Sequence, residues 1–139
     1  MGVVLDTSVL IAAERRTLDL ARLLSAPGVE SVAIAAITVS ELLQGSLRTS
    51  DAGFRARRAA FADWIASTAP VLPFGTNEAR RHAEIWAHLT GTGMTIDAHD
   101  MLIAATALAG GHAVATLNVR HFARVPGLRL VDVTPFATA

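Results

Sequence analysis

A chain of 139 residues with 52% hydrophobic content is the size of one domain, taken as 1–139, with enough apolar material to cover a sheet on both faces. Twelve basic residues balance twelve acids, so no global positive field draws nucleic acid, and any such contact must be local. Cysteine and lysine are both absent, which excludes disulfides and zinc-thiolate sites, and also P-loops, receiver domains and aspartyl-phosphate phosphatases, which want a lysine beside their phosphates or acids.

No apolar run approaches the roughly 18 residues of a membrane span, and the first residues lack the basic flank and cleavage site of a signal peptide. A soluble, cytoplasmic protein is expected. Val3-Val4-Leu5 reads as a short strand buried on both faces, ended by Asp6-Thr7-Ser8. Thr7 or Ser8 is expected to cap the helix that Val9 begins, which leaves Asp6 at the carboxyl edge of a sheet, where ligands bind in open α/β folds. Thr17 is expected to cap a second short helix through Leu24. Ser31-Val32-Ala33-Ile34 is the second strand, followed by a short link.

Thr38-Val39-Ser40-Glu41 matches a capping box before Leu42-Leu43-Gln44, so helix capping by Glu41 is weighed against a role in a site. Asp51 caps a helix from Phe54 to Ile65, whose Arg55, Arg57 and Arg58 read as a solvated face or a small patch toward phosphate or a partner. Val71 to Phe74 is a short edge strand, marked by Pro73. Thr76 caps a helix in which Ala79, Ala83, Trp86 and Leu89 recur at helical spacing and read as core. Gly91-Thr92-Gly93 breaks it. The apolar helix Met101–Ala109 follows, with Asp97 and Asp100 at its mouth and Gly110-Gly111 at its end. Ala113 to Leu117 is the fourth strand, ending in Asn118; Arg120 to Arg124 is a loop or single turn; Leu128 to Val133 is the last strand. Strands alternating with helices give a parallel sheet.

Asp6 and Glu41 follow strands, Asp100 opens a helix and Asn118 ends a strand, so in a right-handed α/β sheet all four junctions share one edge. Two carboxylates about 5 Å apart repel by roughly 3 kcal/mol at an effective dielectric near 20. A hard divalent cation, Mg²⁺ or Mn²⁺, offsets that cost while keeping several of its waters, one of which can attack phosphorus. His82, His88, His99, His112 and His121 lack metal-ligand spacing and are read as surface or core, with His99 turned to another side of its helix.

The stretches Val3-Leu5-Asp6-Thr7-Ser8-Val9, Ile37-Thr38-Val39-Ser40-Glu41-Leu42, Asp100-Met101-Leu102-Ile103-Ala104 and Thr116-Leu117-Asn118-Val119-Arg120-His121-Phe122 together resemble the four motifs of the PIN-domain ribonucleases, in order along the chain. The length is similar to that of VapC toxins of toxin-antitoxin pairs. The resemblance implies a three-layer α/β/α fold with a parallel sheet in the order 3-2-1-4-5, and Mg²⁺- or Mn²⁺-dependent cleavage of RNA. It also implies a homodimer or higher assembly and neutralisation by a small antitoxin. Carried over, Asp6, Glu41 and Asp100 are the metal-binding and catalytic acids, while Asn118 and Thr7 position water or phosphate. Many members place Asp where this chain has Asn118, and an acid is also common where His121 stands; Asp97 is a candidate for the missing charge.

Two other functions are weighed: a catalytically silent module of the same fold that binds RNA or a partner protein, and a phosphatase of small substrates. The absence of a second acid two residues after Asp6 speaks against the phosphatase. Leu10, Ile11, Leu20 and Leu24 on short N-terminal helices are expected to form a partner surface.

Overall fold

The structure, a computed structural model, describes residues 1–138. Gly2–Leu5 (β1), Ser31–Ala35 (β2), Val71–Leu72 (β3), Ala113–Ala115 (β4) and Leu130–Val131 (β5) form one parallel sheet in the order β3-β2-β1-β4-β5. β1 lies at its centre because Val4 pairs with Ala33 on one side and Val114 on the other. Alternate residues of a strand face opposite ways. Val3 and Leu5 accordingly enter one core with Val9, Leu10, Leu23, Leu42 and Ile65, while Val4 enters a second with Ile85, Leu89, Ile103 and Phe122. The helices that cover these two faces are α1 (Thr7–Glu14), α2 (Leu20–Leu24), α3 (Ala36–Arg48) and α4 (Ala52–Thr68) on the first, and α5 (Thr76–Thr92), α6 (Ala98–Ala109) and α7 (Val119–Phe122) on the second. The result is the three-layer α/β/α arrangement with the expected strand order.

Several local expectations give way to tertiary contacts. α1 starts at Thr7, with Asp6 in the capping position and no side-chain cap, because the hydroxyls of Thr7 and Ser8 are engaged elsewhere. α2 is capped by Asp19, whose Oδ1 accepts from the Arg22 N–H; the Thr17 hydroxyl donates to Ala12 O instead. α3 leaves β2 with no intervening link, so Thr38 and Glu41 sit inside the helix and form no capping box. Asp51 does cap α4, accepting from Phe54 N at 2.9 Å. Gly75, not Thr76, holds the N-cap position of α5, with Glu78 Oε1 accepting from its N–H. The helix runs through Gly91 and ends at Gly93, whose φ of 70° is a conformation that glycine adopts without strain. β4 and β5 are shorter than their apolar runs.

The arginines at the start of α4 divide. Arg55 and Arg57 are exposed, whereas Arg58 is buried and paired with Glu14 of α1. On α5 the expected core stripe is largely on the surface: Ala79, Ala83 and Trp86 are exposed, and Ile85 and Leu89 are the residues that enter the core. Leu10 is fully buried and so contributes nothing to a partner surface, while Leu24 is exposed. Among the described residues no helix is long and apolar enough to cross a membrane.

Candidate active site

The carboxyl edge of the sheet carries a cleft of about 390 Å³ that Asp6, Thr7 and Ser8 line from the start of α1, Glu41 from α3, and Asp97 and Asp100 from α6. Asn118 and His121 close it from the segment after β4. Strand order alone accounts for this convergence. β1, β2 and β4 are neighbours and point the same way, and α6 runs back from this edge to the start of β4.

Asp6 is 3% exposed. Its N–H continues the sheet by donating to Ala115 O at 2.9 Å. Its Oδ2 accepts from Ser8 Oγ at 2.6 Å and from Thr116 Oγ1 at 2.7 Å. Its Oδ1 takes no bond from a described residue and is not sealed from solvent, so this is the oxygen offered to the cleft. Thr116 is itself fully buried and accepts from the Asn118 N–H at 2.8 Å, tying the strand end to the carboxylate.

Glu41 reaches across from α3. The Thr7 hydroxyl donates to its Oε1 at 2.8 Å and lies 3.0 Å from the buried hydroxyl of Thr38. His99 Nδ1 stands 3.3 Å from Glu41 Oε2. The side chain therefore spends both oxygens on tertiary partners and none on its own helix end.

Asp100 sits on the first turn of α6, where Asn118 Nδ2 donates to its Oδ2 at 2.8 Å and His121 Nδ1 lies 3.2 Å from the same oxygen. Burial, reinforced by the nearby charges of Asp6 and Asp97, raises the Asp100 pKa above the usual aspartate value, with the His121 hydrogen bond pulling the other way. Asp97 is exposed and caps α6, its Oδ1 accepting from His99 N at 2.9 Å and Asp100 N at 3.4 Å.

Whether these side chains suit a divalent cation turns on donor type and on what each oxygen already holds. The set is rich in hard carboxylate oxygens on one cleft, and Asp6 has an open one, which is the donor chemistry that Mg²⁺ and Mn²⁺ accept. Among the described residues, no three acids and histidines already stand together as a ligand set. Each of Glu41, Asp97 and Asp100 rests on hydrogen-bond donors instead, as mutually repelling carboxylates do. The residues fit the ion, and side-chain rotation completes the approach.

Four participants escape a reading by local pattern: Thr38, Thr116, His99 and His121. Thr116 could have been found from its place two residues before Asn118 at a strand end, which turns both inward. His121 lies three residues after Asn118 on a single helical turn, hence on the same face. His99 faces Glu41, 58 positions away by residue number, and nothing in its neighbourhood marks it.

The fold and the cleft define a class, and comparison with known proteins agrees with them. Residues 3–128 match the PIN domain family, and the chain belongs to it. Within that family the similarity is to VapC proteins. Ribonuclease VapC1 of Rickettsia felis is 38% identical over 134 residues, covering 96% of this chain and 98% of the relative. The DNA-bound VapBC structure from Salmonella typhimurium superposes with a TM-score of 0.83 at 28% identity, covering 95% of this chain and 98% of that one. The VapBC-5 toxin-antitoxin structure from Mycobacterium tuberculosis gives 0.79 at 31% identity, covering 95% and 98%.

Proposed function

We propose that this chain is a divalent-metal-dependent endoribonuclease of the VapC type, held in check by a small antitoxin protein. The observation that carries the reading is the gathering of Asp6, Glu41, Asp97 and Asp100 on one cleft at the carboxyl edge of the sheet. The VapC relatives, named as ribonucleases, supply the substrate class, and the VapBC complexes among its structural neighbours supply the partner.

Asp6 and Asp100 hold the ion, which is Mg²⁺ or Mn²⁺. The chemistry that such an ion supplies when bound is Lewis acidity toward a phosphodiester oxygen and toward an attacking water. The protein does the rest by placement. Ser8 and Thr116 fix Asp6 through one oxygen and leave the other free to bind. Glu41, steadied by Thr7 and His99, faces the cleft as the acceptor for a proton of that water. Asn118 orients Asp100 and brings an amide toward the phosphate.

Asp6→Asn tests the assignment: it abolishes cleavage of an RNA pool in Mg²⁺ or Mn²⁺ and leaves the metal-free fold at least as stable, because it relieves repulsion. Normal cutting by that variant overturns the reading. Saturating metal also raises the melting temperature, by about 2.7 kcal/mol of stability at 100 times the dissociation constant. An unmoved melting curve in millimolar Mn²⁺ speaks against a formed site.

A further inference from the structure

The part of the cleft formed by Asp100, Asn118 and His121 has a geometry that a ring of acids does not require. Asn118 Nδ2 lies 2.8 Å from Asp100 Oδ2 and 2.9 Å from His121 Nδ1, and those two atoms are 3.2 Å apart. An amide NH₂ carries two hydrogens, one for each neighbour. His121 is then the neutral imidazole with its proton on Nε2, and the lone pair of Nδ1 is aimed at the place that Asp100 Oδ2 also faces.

Two lone pairs converging on one small group at this spacing are the arrangement of adjacent ligands on a six-coordinate ion. Bonds of about 2.1 Å at right angles set their donor atoms about 3.0 Å apart. In this arrangement the Asn118 amide hydrogens fill the role that positive charge would fill. The ring is also held for the task. Fully buried Phe122 anchors the turn, and His121 beside it is half-buried at the rim of the cleft.

Resting on the metal-dependent reading above, we propose that His121 Nδ1 is a direct nitrogen ligand of the divalent cation and that it tilts this centre toward Mn²⁺ over Mg²⁺. Magnesium holds oxygen donors in preference to nitrogen, whereas imidazole is a donor for first-row transition metals. A neutral ligand here also adds no charge to a cleft that already gathers four carboxylates.

The test is to load the metal-stripped full chain with Mn²⁺ and read nitrogen couplings to the bound ion by pulsed electron paramagnetic resonance. Imidazole ¹⁴N coupling is expected in the parent protein, absent from His121→Glu although Mn²⁺ still binds, and retained in His99→Gln. Calorimetric titration then shows the Mn²⁺-to-Mg²⁺ affinity ratio falling by about tenfold or more in His121→Glu. Bound Mn²⁺ without nitrogen coupling, or coupling that vanishes only with His99→Gln, overturns the proposal and leaves the nuclease reading standing. Failure of the parent chain to bind Mn²⁺ at all overturns both.

Discussion

The two ends of α1 each hold a carboxylate out of bulk water, and they answer its charge in opposite ways. At the far end Glu14 receives Arg58, whose Nε lies 2.9 Å from both carboxylate oxygens and whose Nη2 lies 2.7 Å from Oε1. The guanidinium is 5% exposed, lies over the Phe54 ring at 5.0 Å, and passes Gly45, where a Cβ would collide with it. At the near end, some 12 Å along the helix, Asp6 has only the neutral hydroxyls of Ser8 and Thr116. One carboxylate is cancelled and serves the packing of α1 on α4. The other is oriented but left unneutralised, which is the condition for binding a cation. Burial alone does not separate a structural acid from a working one; the partner does.

The largest change that probes this contrast is Arg58→Ala, expected to cost about 3 kcal/mol in chemical denaturation because Glu14 stays partly buried with no partner. Replacing both members, Glu14→Leu with Arg58→Met, should return most of that loss, since an apolar pair of similar volume is often as stable as a buried ion pair. A double variant as unstable as the single one would show that the pair holds α1 and α4 together by more than its charge.

Thr116→Val comes next. It keeps the shape and removes one of the two donors to Asp6 Oδ2, along with the acceptor for Asn118 N. The expected loss is about 1.5–3 kcal/mol, together with slower RNA cleavage. Unchanged stability would mean that Ser8 alone suffices to hold the carboxylate.

The layers and the strand order could be read from the chain because each strand is a short, β-branched, apolar run, and because in a parallel fold the edge occupied by strand-end polar groups follows from handedness. That is why Asp6, Asp100 and Asn118 could be placed together from sequence. Glu41 was ambiguous, since Thr38 and Glu41 have the spacing of a cap, and only the uninterrupted passage from β2 into α3 turns both toward Thr7. Arg58 reads as solvated beside Arg55 and Arg57, and the signal that separates it, a glycine on α3 that leaves room for a guanidinium, lies in another element. On α5 two small residues and a tryptophan mimic a core stripe, while the sheet takes Ile85 and Leu89, a set displaced around the same helix. The histidines were missed because their partners come from tertiary structure.

The smallest expected effect concerns Asp100, which shares the uncancelled end of α1 with Asp6. Its pKa is raised in the folded protein, by burial first and then by the charges of Asp6 and Asp97. The folded state therefore binds this proton more tightly than the unfolded chain does. Its contribution to stability is fully present below the ordinary aspartate pKa and is lost as pH rises through the raised value. Metal-free protein should thus carry a downward slope of stability with pH across that window, and Asp100→Asn should flatten it while leaving Glu14 and Arg58 untouched. Urea titrations at a series of acidic pH values measure the slope. Persistence of the whole slope in Asp100→Asn would mean that the unbalanced charge at this end of the helix resides on another group, and the contrast with Glu14 would have to be redrawn around it.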